Sequence, residues 1–134
     1  MILTGPAPDF DLVDQNNEPV RLSDYRGKIV VLTFMESRCQ EICPLTANEL
    51  RKVHQALGNN GNSVVFIGIN VNVEANKTED VSEATLKWSL DEIPNWHFLT
   101  GTEAELKPVW DAYGIVLVIP TNGERKLCIH PGCS

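Results

Sequence analysis

Hydrophobic residues are concentrated in two nearly uninterrupted runs, Lys28–Met35 and Ser63–Val71. In the first run, Thr33 is the single polar residue after Lys28. A strand that is buried on both faces shows no alternation of apolar and polar residues. Both runs therefore predict strands inside a parallel or mixed sheet.

Three other stretches have the spacing of helices. The first follows Pro44 and ends at Gly58, and a proline is well tolerated in the first turn of a helix. The second extends from Thr78 to Glu92, and the third from Thr102 to Tyr113. In the first helix the apolar positions are Leu45, Leu50, Val53 and Leu57, and in the second the residues expected to face inward are Val81, Leu86 and Leu90.

Shorter apolar stretches complete the predicted fold. A β-hairpin is expected from Asp9–Val13 and Val20–Leu22, and further strands from Trp96–Leu99, Ile115–Ile119 and Arg125–Ile129. A strand, helix and strand in succession imply a right-handed parallel crossover. We predict an α/β protein with a thioredoxin-like three-layer α/β/α sandwich and an N-terminal β-hairpin extension, in which residues 1–134 form a single domain.

The length and the net charge of the chain limit the kinds of function and partner that it can have. A chain of 134 residues is large enough for one domain with its own core. The net charge of −7 disfavours nucleic acid or an anionic membrane as the main partner and suits a positively charged partner or a metal cation. The start Met1-Ile2-Leu3 is too short for a signal peptide, so either the protein is cytosolic or a leader or anchor lies outside this sequence.

The candidate chemistry lies where the first buried strand leads into the first helix. Cys39 and Cys43 are found at this junction. Unpaired backbone N–H groups and the helix dipole favour a thiolate at a helix N-terminus. Residues four apart on a helix have β-carbons about 5–6 Å apart, so a small adjustment would allow a disulfide. The two sulfurs could instead hold one soft metal ion, or the cysteines could simply pack in the core.

Several motifs resemble the Sco/SenC family of thioredoxin-like copper proteins, which assist assembly of the copper centre of cytochrome c oxidase. The matching segments are Pro8-Asp9-Phe10 with Leu12, Leu22–Lys28, Cys39–Thr46, Trp96–Gly101 and Ala112-Tyr113-Gly114. The three residues between the cysteines distinguish this family from thioredoxins, which have two. The resemblance covers the chain to about residue 115.

The resemblance implies a metallochaperone that binds copper through Cys39, Cys43 and His130. It would deliver copper, or reduce the thiols of the copper site, during oxidase assembly. The alternative is a thiol–disulfide oxidoreductase in which Cys39 and Cys43 are the catalytic redox pair. Implied partners are a copper-accepting oxidase subunit or another copper or thiol carrier protein. The implied location is periplasmic or extracytoplasmic, with a membrane anchor on the full-length protein.

The C-terminal part departs from the family pattern. His130 is flanked by Ile129 and Pro131 instead of an Asp and a Ser or Thr, and as a terminal histidine it could also be solvated and idle. The family would add a strand and a helix after Ser134. We therefore expect self-association through the incomplete sheet edge, or a tail that patches it with Cys128 and Cys133 available for other contacts.

Three further expectations concern residues outside the thiol motif. Ile119-Pro120-Thr121 resembles the cis-proline turn that faces the thiols in thioredoxin-like reductases. His54 and His97 are expected to be structural, since a metal ligand would need converging partners. The tryptophans are expected to fill the core; they are Trp88, Trp96 and Trp110.

Overall fold

A computed structural model describes residues 8–38, 42–114, 116–118 and 126–128, and side chains are described for 8–38, 43–60 and 63–114. The helices are α1 (Ile42–Leu57), α2 (Thr78–Lys87) and α3 (Glu103–Ala112). The strands are β1 (Asp11–Val13), β2 (Pro19–Arg21), β3 (Ile29–Met35), β4 (Val64–Asn70), β5 (Trp96–Leu99), β6 (Val116–Val118) and β7 (Lys126–Cys128). Within the described part of the chain, no helix is long and apolar enough to cross a membrane.

Most predicted elements are confirmed within a few residues. The second helix is the exception, because α2 ends at Lys87 and a separate 3₁₀ turn follows at Leu90–Glu92. Ser89 between them has a φ of 56°, in the left-handed region, and this conformation breaks the helix. A helical pattern that continues through such a break predicts one long helix where the structure has two short segments.

The central sheet has the order β3-β4-β5, with all three strands parallel. Every residue of β4 is buried, as predicted for the second apolar run. The corresponding prediction for the first run is wrong. Within the described part of the sheet β3 pairs with β4 alone, and most of its residues are only partly buried, with Ile29 66% exposed. The expected self-association through the sheet edge stays a prediction.

Two apolar clusters lie on opposite faces of the sheet and give the three predicted layers. On one face α1 and α2 pack against the sheet through Ala47, Leu50, Val81, Ala84, Phe66 and Phe98. On the other face α3 and the β1–β2 hairpin pack through Leu12, Val20, Leu106, Val109, Ile67 and Leu99. The hairpin is tied to the end of β5 by two backbone hydrogen bonds between Val13 and Thr100, of 3.1 and 2.8 Å. The thioredoxin-like sandwich with a hairpin extension is confirmed.

The inner faces of the helices differ from the predicted ones. Leu45, Val53 and Leu86 are 69%, 45% and 64% exposed, whereas Leu50, Val81 and Leu90 are buried. The buried face of α1 is formed by Cys43, Ala47 and Leu50, which are four and three residues apart. The positions of the large apolar side chains therefore did not predict the buried faces of the helices, because short side chains supply part of the helix–sheet contact.

The three tryptophans, His54 and His97 all have structural contacts, as expected. Trp88, Trp96 and Trp110 are all buried. His97 Nδ1 lies 2.9 Å from Asp14 Oδ2, and His97 Nε2 lies 3.2 Å from Tyr25 Oη. His54 contacts the edge of the Phe66 ring, with ring centroids 5.9 Å apart. The contacts of His97 connect β5 to the N-terminal hairpin and to the turn after it.

Candidate thiol and metal site

The candidate site lies at the edge of the sheet where the parallel strands end. The loop after β3 contains Cys39 and leads into α1. The segments after β4 and β5 begin at Val71 and Thr100 and lie at the same edge, because parallel strands share their direction. In open α/β sheets this edge is the usual place for ligand binding.

Cys43 is the second residue of α1 and is 7% exposed. It belongs to the apolar cluster that includes Met35, Ala47 and Leu50. Its backbone lies in the first turn of α1, where a helix has unpaired N–H groups and the positive end of its dipole. Cys43 is thus a buried thiol at a helix N-terminus.

The other predicted ligands fall outside the described residues. They are Cys39 and His130, and Cys133 also lies there, while Cys128 is described only as part of the β7 backbone. Among the described side chains, no group of three or more His, Cys, Asp or Glu is arranged to hold a metal ion. The ligand set and the disulfide between Cys39 and Cys43 therefore stay predictions. Pro120, assigned to a cis-proline turn, also lies outside the described residues.

Beside the motif, the side chain of Asn70 at the end of β4 is completely buried and forms hydrogen bonds in several directions. Its Oδ1 accepts from the backbone N–H groups of Ser37 at 3.3 Å and Asn72 at 3.0 Å. Its Nδ2 lies 3.1 Å from Asn72 O, 2.9 Å from Ala75 O and 3.3 Å from Thr100 Oγ1. Asn70 thus connects the segments that follow all three strands of the sheet.

Two further residues extend this polar network. Ser37 Oγ donates to Ala75 O at 2.7 Å, and Thr100 Oγ1 donates to Asn76 O at 2.8 Å. Asn76 Nδ2 donates to Gly101 O at 3.0 Å. The network holds the base of the loops around the thiol motif.

The sequence did not single out the buried contact between Asn70 and Ser37 beside the motif. One signal was available, because Asn70 is a polar residue inside a run that is otherwise apolar to Val71. A polar side chain buried at such a position needs hydrogen-bond partners. The sequence alone does not say that one of those partners is Ser37, which is 33 residues away.

Two outer contacts also involve the loop that carries Cys39. Asn72 Nδ2 donates to Glu36 Oε1 at 3.1 Å, and Arg38 lies 3.8 Å from the carboxylate of Asp80 in α2. Arg38 is 66% exposed, so this ion pair contributes little to stability. Residues 36–38, the described part of this loop, are therefore held mainly by hydrogen bonds.

Residues 5–132 match the family model described as SCO1/SenC. Among curated proteins, a SCO2-like protein of Rickettsia typhi is 27% identical over 107 residues, which cover 80% of this chain and 51% of that protein. The chain thus spans about half the length of this relative.

Solved structures of the same family have the same fold. ScoI of Bradyrhizobium japonicum with copper bound has a TM-score of 0.77 and 24% identity, over 92% of this chain and 78% of that one. A SCO1/SenC family lipoprotein of Bacillus anthracis has a TM-score of 0.74 and 25% identity, over 90% of this chain and 73% of that one.

A third solved structure is BsSco, which is described as a member of the Sco family of cytochrome c oxidase assembly proteins with a disulfide switch. It has a TM-score of 0.66 and 23% identity, over 80% of this chain and 62% of that one. The family model covers nearly the whole chain, from the N-terminal hairpin past the thiol motif at the start of α1. The chain therefore belongs to the SCO1/SenC family.

Proposed function

We propose that this chain is a copper metallochaperone that binds copper through Cys39, Cys43 and His130. The observation that carries the proposal is the position of Cys43, which is buried in the first turn of α1 at the polar edge of the sheet. A structural neighbour of the same fold, ScoI of Bradyrhizobium japonicum, has copper bound. Copper is here the cargo of the protein, not a resident cofactor.

The proposed donor set suits copper by its chemistry. Thiolate sulfur is a soft ligand that selects Cu(I), and imidazole nitrogen is a ligand for copper as well. Two thiolates suffice for low-coordinate Cu(I), whereas Cu(II) favours additional nitrogen or oxygen ligands. The same site could therefore hold copper in either oxidation state.

The proposed partner is a copper-accepting subunit of cytochrome c oxidase or another copper or thiol carrier protein. BsSco, of similar fold, is described as an oxidase assembly protein. The neighbour from Bacillus anthracis is a lipoprotein, which supports an extracytoplasmic, membrane-anchored location for the full-length protein. The net charge of −7 favours a positively charged docking surface on the partner.

A second candidate function is thiol–disulfide exchange, supported by the disulfide switch described for BsSco. The Cys39 thiolate would attack a disulfide of the partner, forming a mixed disulfide and releasing one partner thiolate. The Cys43 thiolate would then attack Cys39 sulfur and release the second partner thiolate. The partner gains two electrons and becomes a dithiol, and this chain ends with a Cys39–Cys43 disulfide.

A copper titration beside an insulin-reduction assay tests the two functions on the same reduced protein. For a metallochaperone we expect one Cu(I) per chain in competition with a chromogenic Cu(I) chelator, and slow insulin reduction. A chain that binds no Cu(I) under these conditions but reduces insulin rapidly would contradict the metallochaperone and favour the oxidoreductase.

His130→Ala is expected to weaken Cu(II) binding more than Cu(I) binding, because Cu(I) tolerates two-coordinate thiolate ligation. Competition titrations against a chelator for each oxidation state measure the two affinities. Ile129→Ala, one residue away, is the matched control and should leave both unchanged. Equal losses for both oxidation states, or none, would show that His130 is not the third ligand.

A further inference from the structure

We infer that Asn70 is a positioning residue for the thiol motif, and that it acts by anchoring Ser37, two residues before Cys39 in the sequence, to the end of β4. The inference rests on the proposed function only in requiring that the pair of Cys39 and Cys43 binds copper or exchanges disulfides. Asn70 is neither a thiol nor an imidazole ligand, and it lies at the end of β4, whereas the motif follows β3.

Asn70 contacts Ser37, at the start of the motif loop, directly. Ser37 is two residues before Cys39, and its backbone N–H donates to Asn70 Oδ1 at 3.3 Å. The orientation of the amide follows from its surroundings, because both groups facing Oδ1 are backbone N–H donors, from Ser37 and Asn72. The motif loop is thus attached to the end of the central strand.

The contact between Ser37 and Asn70 is buried, and both side chains also bind the same backbone carbonyl. Ser37 is 8% exposed, and Asn70 is completely buried. Ala75 O accepts from both Ser37 Oγ, at 2.7 Å, and Asn70 Nδ2, at 2.9 Å. Hydrogen bonds in such a buried network restrict movement strongly, since an unpaired polar group there is costly.

The other end of the loop leads into α1. Cys43 belongs to α1, whose inner face packs against the sheet, so its position is determined by the core. Ser37, which Asn70 holds, and Cys43 flank the middle of the motif in the sequence, so both flanking residues are held by buried contacts. A disulfide requires Cα atoms about 4.4–6.8 Å apart, and a two-thiolate metal site has a similarly narrow range.

Asparagine has the chemistry that this position requires. One side chain supplies an acceptor for two N–H groups and donors for the backbone carbonyls of Asn72 and Ala75. An aspartate would place a carboxylate against those carbonyl oxygens, and an alanine would leave buried groups on both sides unpaired.

The test compares Asn70→Ala with Thr85→Val in the full chain. Thr85 in α2 is also buried, and its hydroxyl accepts from Trp96 Nε1 at 3.2 Å, outside the network around Asn70. Urea unfolding measures the stability lost by each variant. Titration with glutathione redox buffers measures the thiol–disulfide equilibrium, and competition with a chromogenic chelator measures Cu(I) affinity.

We expect Asn70→Ala to bind Cu(I) about tenfold more weakly and to shift the equilibrium about tenfold toward the dithiol, because preorganisation of the two thiols is lost. A tenfold shift corresponds to about 30 mV in reduction potential. Thr85→Val should change both values less than about twofold, although it also loses a buried hydrogen bond. Asn70→Ser, whose shorter side chain cannot bridge Ser37 and Ala75, should also weaken Cu(I) binding and is measurable if Asn70→Ala does not fold.

Equal changes in Asn70→Ala and Thr85→Val would overturn the inference and show that Asn70 acts on stability alone. If Asn70→Ala does not fold, an Asn70→Ser variant with wild-type values overturns it instead. These results leave the proposed function intact, because the wild-type chain would still bind Cu(I) or exchange disulfides. A wild-type chain that does neither overturns both.

Discussion

Replacing Cys43 with serine is expected to abolish one-to-one Cu(I) binding by the reduced protein, and Cys39→Ser should have the same effect. A serine hydroxyl is a hard, protonated oxygen and cannot replace a soft thiolate as a Cu(I) ligand. Loss of a direct ligand should exceed the roughly 10–100-fold loss that follows from changes to residues behind the ligands. Competition with a chromogenic Cu(I) chelator at fixed pH measures the loss.

Cys43 is 7% exposed within an apolar cluster, so its serine variant also places a hydroxyl in the core. A buried hydroxyl without a partner costs about 1–3 kcal/mol, and urea unfolding of Cys43→Ser and Cys43→Ala separates this cost from the loss of a ligand. Cys128→Ser and Cys133→Ser are the cysteine controls and should retain Cu(I) binding. Loss of binding in these controls, with Cys43→Ser unaffected, would place the metal in the C-terminal tail.

Gly68→Ala is expected to destabilise the fold strongly, because this glycine in the central strand β4 faces the ring of Trp96. A Cβ at this position would lie 2.6 Å from Trp96 Cη2 and 3.2 Å from Trp96 Cζ2. Trp96 cannot move away easily, since it is 2% exposed and its Nε1 donates to Thr85 Oγ1 at 3.2 Å. Overpacking of this kind costs about 1–3 kcal/mol in the free energy of unfolding.

Urea unfolding of Gly68→Ala, Trp96→Phe and the double variant measures the coupling between the two positions. Phenylalanine removes the ring atoms nearest to the new Cβ, so the alanine should cost less in the Trp96→Phe background. Thr33→Ala, at the position opposite Gly68 on β3, is the control for alanine in a neighbouring strand. A Gly68→Ala variant as stable as the wild type would mean that the strand and the indole ring can separate at little cost.

Local sequence patterns determined most of the elements. Val64–Asn70 is a central strand because nearly every residue in it is apolar and four of the seven are β-branched. Helix α3 begins after Thr102, whose Oγ1 accepts from Glu105 N at 3.2 Å while Glu105 Oε1 accepts from Thr102 N at 2.9 Å. It is followed by Gly114 with a φ of 75°. Such caps act over three or four residues, so they are visible in the sequence.

Burial and contacts that depend on residues far away in the chain were predicted less well. Leu45 and Leu86 have helical spacing but are exposed, because the sheet contacts a different side of each helix. Strand β3 is as apolar as β4 yet only partly buried, since apolarity does not specify the number of neighbouring strands. His97 contacts Asp14, which is 83 residues away, and no local pattern indicates that contact.

The sequence by itself determined the family, the fold class and the place of the cysteine pair between a strand and a helix, because those features depend on neighbouring residues. The tertiary structure alone decided that strand β3 is only partly buried, that Cys43 is buried, and that Asn70 contacts Ser37. All three depend on packing between segments far apart in the chain. A buried polar side chain reveals its need for partners in the sequence, but only the folded sheet brings a particular partner within hydrogen-bond distance.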